Sequence, residues 1–259
     1  MIYIITHKKF DSYFTDDEHY KVLHVGTNDN CDDKYLRDDI GDNISYKNKY
    51  YCELTGQYWI WKNVIGDENQ ITGIIHYRRY FTTRIDSFIY TYFHIKPKVL
   101  SWEKIKKSLR NNDIIVPQPC WIHQTIENYY ARNHVKEDLY IVEKAIAALY
   151  PDYLEDYIKV LNGHWYIYAN MLLTKKNIFD DYSKWLFNIM GYVEKRNDIS
   201  KYKDDYQKRV YGFLSERLLQ VWITHNNLKV KTYPVFNTEQ FNETIFERNI
   251  KRFKNIINK

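Results

Sequence analysis

Short apolar runs rich in β-branched residues alternate along this chain with segments of helical period, and that alternation narrows the possible fold more than any other feature. Ile2–Thr6 reads as a first strand, Lys21–Gly26 as a second, Ile71–His76 as a third and Asp113–Pro117 as a fourth. Between them a helix is expected from a Ser45 cap through Asn63, with Tyr51, Leu54, Tyr58 and Trp61 at helical spacing, and another over Ser101–Arg110. Strands that alternate with helices need helical crossovers, which makes the expected fold α/β, a mixed, mostly parallel central sheet flanked by helices. The C-terminal half is more helical. Helices are expected over Lys136–Ala148, stopped by Pro151, then over Ile178–Val193 and Val210–Thr224, with strands at Trp165–Thr174 and Val230–Val235. The Asp- and Asn-rich residues 28–43 and the charged residues 194–208 read as loops. No linker or internal repeat divides residues 1–259, so one domain is expected.

The third strand ends abruptly in His76, Tyr77, Arg78, Arg79 and Tyr80. Carboxyl ends of strands are where open α/β sheets bind ligands. Adjacent guanidiniums flanked by phenols suit a phosphorylated ligand, because Arg offers phosphate oxygens a planar fork of donors. A surface ion-pair cluster at a strand end is the plainer alternative.

Other classes lack their parts. A net charge of +5 falls short of the dense basic patches of a nucleic-acid binder, so no nucleic acid is expected as partner. Cys31, Cys52 and Cys120 form no CxxC pair or disulfide framework, which fits a reducing cytoplasm. MIYIITHKKF is too short in its apolar part for a signal peptide, and no run of about 18 apolar residues is present to span a bilayer. A soluble cytoplasmic protein is expected. Its tail, residues 247–259, interleaves Lys251, Arg252, Lys254 and Lys259 with Ile250, Phe253, Ile256 and Ile257, a pattern for either a solvated terminal helix or a basic helix touching anionic membrane. The glycine-rich dinucleotide and phosphate loops, the zinc-protease helix and the nucleophile elbow are missing. The acid pairs Asp16-Asp17, Asp32-Asp33, Asp38-Asp39, Asp180-Asp181 and Asp204-Asp205 end no buried strand, where a diphosphate-bridging metal would want them, so no metal site is expected.

Several single residues carry two readings. The helix after Ser45 bears Asn48, Glu53, Gln57 and Lys62, a wet packing edge or a binding set; the loop Asp38–Asn43, entering its N-terminus, suits anions. Tyr168 and Asn170 interrupt an apolar strand, to hydrogen-bond sugar hydroxyls or to serve a bulge. Glu216 lies on a helix apolar around most of its circumference, where a carboxylate needs a partner or a task. It is either a general base or an acid of the helix's first turn.

Taken together, THKK (6–9), HVG (24–26), DDIGDNISYKNKYYCELTGQYWIWKN (38–63), GIIHYRRYF (73–81), DIIVP (113–117), YYARNH (129–134), NMLLTKKNIFDDYSKWLF (170–187) and GFLSERLL (212–219) make the chain resemble a family of bacterial capsular-polysaccharide and lipopolysaccharide-biosynthesis glycosyltransferases. The resemblance covers nearly the whole length. It implies a GT-A-like transferase that moves a hexosyl residue from a nucleotide sugar to an oligosaccharide or lipid-linked glycan; UDP-galactofuranose is the preferred donor class. It also implies a nucleotide-sugar-binding half, 1–120, and an acceptor and catalytic half, 121–259. The Asp-x-Asp usual in GT-A enzymes is replaced by the His76–Tyr80 cluster, so neither a tightly bound cofactor nor a required divalent metal is expected. On this reading Thr6, His7, Lys8, Asp38, Asp42, Asn43, Asn48, His76 and Tyr77 bind the donor, and Arg78 and Arg79 stabilise the departing diphosphate. Tyr80, Tyr168 and Asn170 position sugar, and Glu216 is the base of an inverting transfer. A non-catalytic nucleotide- or carbohydrate-binding component and a sugar-phosphate transferase are the alternatives.

Overall fold

A computed structural model of the chain describes residues 1–10, 17–28 and 31–242. Strands β1 (Ile2–Thr6), β2 (Tyr20–His24), β3 (Leu36–Arg37) and β4 (Ile71–His76) run parallel. From the end of β4 the chain turns back as β5 (Arg79–Phe81). β6 (Ile114–Pro117) follows, and β7 (Cys120–Trp121) with β8 (Trp165–Tyr166) makes a separate antiparallel ribbon. β9 (Leu172–Lys175) lies antiparallel between β4 and β6, β10 (Val230–Tyr233) pairs with β6 in parallel, and β11 (Val235–Asn237) closes on β5. The main order is β10-β6-β9-β4-β1-β2-β3, so strands from both ends of the sequence share one sheet.

The apolar runs are explained by burial on both faces. Along β1 the pleat sends Tyr3 and Ile5 into one core with Leu23, Ile74 and Val116, and Ile2 and Ile4 into another with Ile75, Ile115 and Leu173. The helices are α1 (Asn48–Tyr51), α2 (Leu54–Asn63), α3 (Arg84–Phe93), α4 (Trp102–Asn111), α5 (Ile126–Asn133), α6 (Glu137–Leu149), α7 (Leu154–Leu161), α8 (Lys176–Glu194) and α9 (Val210–His225). Helices α2, α6, α8 and α9 contribute to the first core, whereas α4 supplies Ile105 and Leu109 to the second. Gly73 sits where β4 meets β9: a Cβ there would lie 2.4 Å from the Leu172 carbonyl oxygen.

Several expectations need correction. The helix expected from Ser45 to Asn63 is three pieces, a 3₁₀ turn, α1 and α2, separated at Cys52, whose φ of 51° and ψ of −129° interrupt the helical path. Ser45 caps no helix; its hydroxyl donates to buried Asp38. The strand expected over Trp165–Thr174 is β8 and β9, parted by Ala169 and Asn170, which both take positive φ. β3 lies inside the expected loop 28–43, and α3, α5 and α7 fall outside the expected set of helices. The basic tail, residues 247–259, lies outside the described residues.

Candidate functional site

The carboxyl ends of β1 and β4 and the segment before β9 open into a cleft of about 920 Å³, with α9 and the Cys52 break forming further walls. Thr6, His7 and Lys8 line it from the end of β1, and His76, Tyr77, Arg78 and Arg79 from the end of β4. Asn48 reaches it from α1, Tyr168 from the segment before β9, and Glu216 from α9. The expected donor side and the expected base therefore share one space.

Charge in the cleft is uneven, with Lys8, Lys49, Arg78, Arg79, Arg209 and Arg217 set against Glu53, Glu216 and Glu239. The two neighbouring arginines differ. Arg78 places Nη1 3.0 Å from both oxygens of Glu239, while the Arg79 guanidinium has neither a hydrogen-bond nor an ion-pair partner among the described residues. Lys8 also lacks a carboxylate there and lies over the Tyr77 ring, 5.4 Å from its centroid. The Thr6 hydroxyl donates to the Lys8 carbonyl and accepts the Lys8 amide, fixing the turn that presents His7 and Lys8.

His76 is held neutral. Burial, followed by the positive Arg79, pushes its pKa down to about 3. Its Nε2 lies 2.6 Å from the Ala169 carbonyl, which can only accept, so Nε2 carries the proton and Nδ1 keeps a lone pair. Burial, with Lys8 and Arg78 nearby, likewise lowers the pKa of His7.

Glu216 sits near the middle of α9, away from the first turn, and is anchored on several sides. The Ala169 amide donates to Oε1 at 3.0 Å; the Tyr166 hydroxyl and Arg217 Nη1 donate to Oε2. Arg217 is itself buried between the rings of Tyr130 and Tyr166, with its guanidinium 5.0 and 4.8 Å from their centroids, and also donates to the Phe213 carbonyl. The positive φ of Ala169 and Asn170 aims the Ala169 amide at Glu216 and the Ala169 carbonyl at His76. One strained corner thus ties the end of β4 to α9.

Asn170 is buried just behind this corner. Its amide donates to Glu53 at 2.6 Å and to the Gly212 carbonyl at 3.2 Å, so it ties cleft elements together without lining the cleft. Tyr80 is buried as well: its hydroxyl donates to the Tyr77 carbonyl and its ring stacks on Phe236. Asp38, Asp42 and Asn43 also do not line the cleft. Asp38 is enclosed and accepts from the Gly26 amide and the Ser45 hydroxyl; Asp42 accepts from Tyr58, and Asn43 donates to the Gly41 carbonyl within its own turn. These partners tie the three side chains into the loop. Asn48, by contrast, lines the cleft while donating to the Cys52 carbonyl and the Thr55 hydroxyl.

Cleft residues missed from sequence include Lys49, Tyr166, Arg209, Arg217 and Glu239. Arg209 donates through Nε to the Cys52 thiol at 3.0 Å. Arg217 had one visible signal, a cation on an otherwise apolar helix. The cleft's three carboxylates are held apart by different partners, Glu53 accepting from Asn170, Glu216 from the Ala169 amide and Glu239 from Arg78, and no group of three or more His, Cys, Asp or Glu side chains gathers as a metal site among the described residues.

The family described as "Domain of unknown function (DUF4422)" matches residues 1–227. No curated protein matches the chain. A solved structure titled as the apo form of WbbM, a bifunctional glycosyltransferase, superposes with a TM-score of 0.77 at 30% identity. The match covers 92% of this chain and 45% of the WbbM chain, so this chain spans about half the length of that one. The fold is the GT-A-like α/β arrangement that the family resemblance implies, with β5 and β9 running antiparallel to β4 in a mostly parallel sheet.

Proposed function

The chain belongs to the DUF4422 family, and from that premise we propose that it is a glycosyltransferase moving a hexosyl residue from a nucleotide sugar to a glycan acceptor. The observation carrying this reading is Arg79, a guanidinium without a protein partner among the described residues, at the carboxyl edge of the sheet in a cleft that also holds a fixed carboxylate. The structural likeness to WbbM supports the same class. UDP-galactofuranose is the preferred donor and a lipid-linked or free oligosaccharide of surface-polysaccharide synthesis the preferred acceptor, on the strength of the sequence resemblance. Within the single domain, residues 1–120 then supply the nucleotide side and 121–259 the acceptor side.

In this mechanism Arg79 and Lys8 bind the diphosphate, with Arg78 beside them. Glu216 accepts the acceptor hydroxyl's proton on Oε1, which holds only the Ala169 amide and so keeps a lone pair free. The acceptor oxygen forms a bond to the anomeric carbon from the face opposite the phosphate. The bond from that carbon to the β-phosphate oxygen breaks, inverting the centre, and UDP leaves with its growing negative charge stabilised by guanidinium and ammonium. No step is assigned to a metal: in this reading the diphosphate charge is met by Arg79, Lys8 and Arg78.

Incubating the purified chain with UDP-galactofuranose and other UDP-hexoses, with and without oligosaccharide acceptors, tests this reading. Acceptor-dependent release of UDP supports it. Release of UMP would identify a sugar-phosphate transferase, and nucleotide binding without turnover would identify a binding component.

A further inference from the structure

Helix α3 presents its apolar side outward. Surface helices of globular proteins normally turn their apolar stripe to the core. In α3 only Tyr90 is buried, while Ile85, Phe88, Tyr92 and Phe93 are exposed, as is Ile95 just beyond. Phe88 and Tyr92, one turn apart, touch with ring centroids 4.5 Å apart. Ten residues are too few for a helix to be stable in water unaided, and burial of Tyr90 alone gives it a weak hold.

The segment carrying α3 is nonetheless firmly based. Thr82 bridges to Val99, the Leu100 amide donates to the Phe81 carbonyl, and the Thr82 hydroxyl donates to the Lys98 carbonyl, so residues 82–99 leave and rejoin the body at one point. Exposed cations flank the apolar surface: Arg84 at the helix start, and Lys96 and Lys98 after its end. None of the three has a carboxylate partner among the described residues; Lys96 lies over the Phe241 ring at 5.7 Å. The acid on the helix, Asp86, is turned into the Thr83 cap.

We propose that α3 and residues 94–98 form a peripheral docking surface for an anionic lipid bilayer. Aromatic and branched side chains would enter the boundary between headgroups and acyl chains, and Arg84, Lys96 and Lys98 would meet lipid phosphates; an apolar patch flanked by cations that have no carboxylate partner among the described residues complements that surface. The surface is also coupled to the cleft. Glu239 pairs with Arg78 in the cleft, and the same short turn sets the Phe241 ring edge-on to Tyr90, with ring centroids 5.4 Å apart. Docking would hold the cleft beside the membrane surface, within reach of a lipid-linked acceptor.

The test is flotation of the full chain with phosphatidylglycerol-containing vesicles and with phosphatidylcholine vesicles, for wild type and for Phe88→Ser combined with Phe93→Ser. Both side chains are exposed, so the double variant should keep its melting temperature and its turnover of soluble substrates. Wild type should float with the anionic vesicles, and the variant should partition less by on the order of tenfold. The proposal is overturned if wild type does not float. It is equally overturned if the double variant floats as well as wild type, and loss of flotation by Lys251→Glu with Lys254→Glu would then move the contact to the basic tail. A lipid-free dimer abolished by the double variant would make α3 a self-association face. These readouts need no turnover, so they stand apart from the fate of the enzymatic reading.

Discussion

Arg78 and Glu239, 161 residues apart in sequence, meet at the rim of the cleft with Nη1 of the arginine 3.0 Å from each carboxylate oxygen. This pairing makes two sequence neighbours unequal: Arg78 enters the cleft already neutralised, whereas Arg79 brings a full charge. The diphosphate role therefore rests mainly on Arg79.

Arg79→Ala is expected to lower kcat/KM for the nucleotide sugar on the order of 10²–10³-fold, the usual cost of removing one donor aimed at developing charge. Arg78→Ala should cost no more than about tenfold, since a partly exposed, already paired cation contributes little. Steady-state kinetics with circular dichroism as a fold control would check both. Equal losses would contradict the distinction.

Glu216→Gln should slow transfer on the order of 10²–10⁴-fold while leaving UDP affinity intact, because the amide offers no basic oxygen. Tyr166→Phe removes one donor to Oε2 but leaves Arg217 in place, so its effect on kcat should be smaller. Single-turnover measurements separate chemistry from binding, and a Gln variant at the wild-type rate would remove Glu216 from the mechanism.

Stability should fall in acid partly through His76. Its folded pKa of about 3 lies below the ordinary histidine value of 6.5, so the unfolded chain binds the extra proton first. The contribution of neutral His76 is complete above about pH 6.5 and is lost progressively toward pH 3. His76→Gln, which can still donate to the Ala169 carbonyl, should flatten melting temperature against pH across that window. An unchanged slope would contradict the assignment.

Gly73→Ala should destabilise the fold by about 1–3 kcal/mol, the usual cost of overpacking, because backbone of β9 occupies the space a Cβ needs. Urea denaturation reads this directly. Since β4 carries His76 through Arg79, the variant should lose transferase activity along with stability.

Much of the sheet was legible because its cause is local. Ile2–Thr6 and Ile71–His76 are buried on both faces, and such strands must be apolar throughout. The break at Ala169 and Asn170 was only half legible: Asn170 marks an interruption or bulge, but neither residue's type demands positive φ, and the corner is held by Glu216 and His76 from distant elements. Asp38 looked like a ligand because acids in polar loops usually meet solvent; its burial comes from Gly26 and Ser45, which sequence does not pair with it. Helix α3 was missed for a different reason. Its apolar residues have helical spacing, but a pattern gives the period and not the side that faces the core. The cluster at the end of β4 was found by position, whereas the split between Arg78 and Arg79 needed Glu239 to be seen beside one of them.

The most direct measurement is the thermal shift produced by UDP in EDTA, for wild type and Arg79→Ala. At a hundredfold excess over Kd, wild type should gain on the order of 5–10 °C without added metal, and Arg79→Ala should lose most of that gain. A shift that appears only with a divalent cation, or an Arg79→Ala shift equal to wild type, would contradict a cleft in which that guanidinium holds the diphosphate.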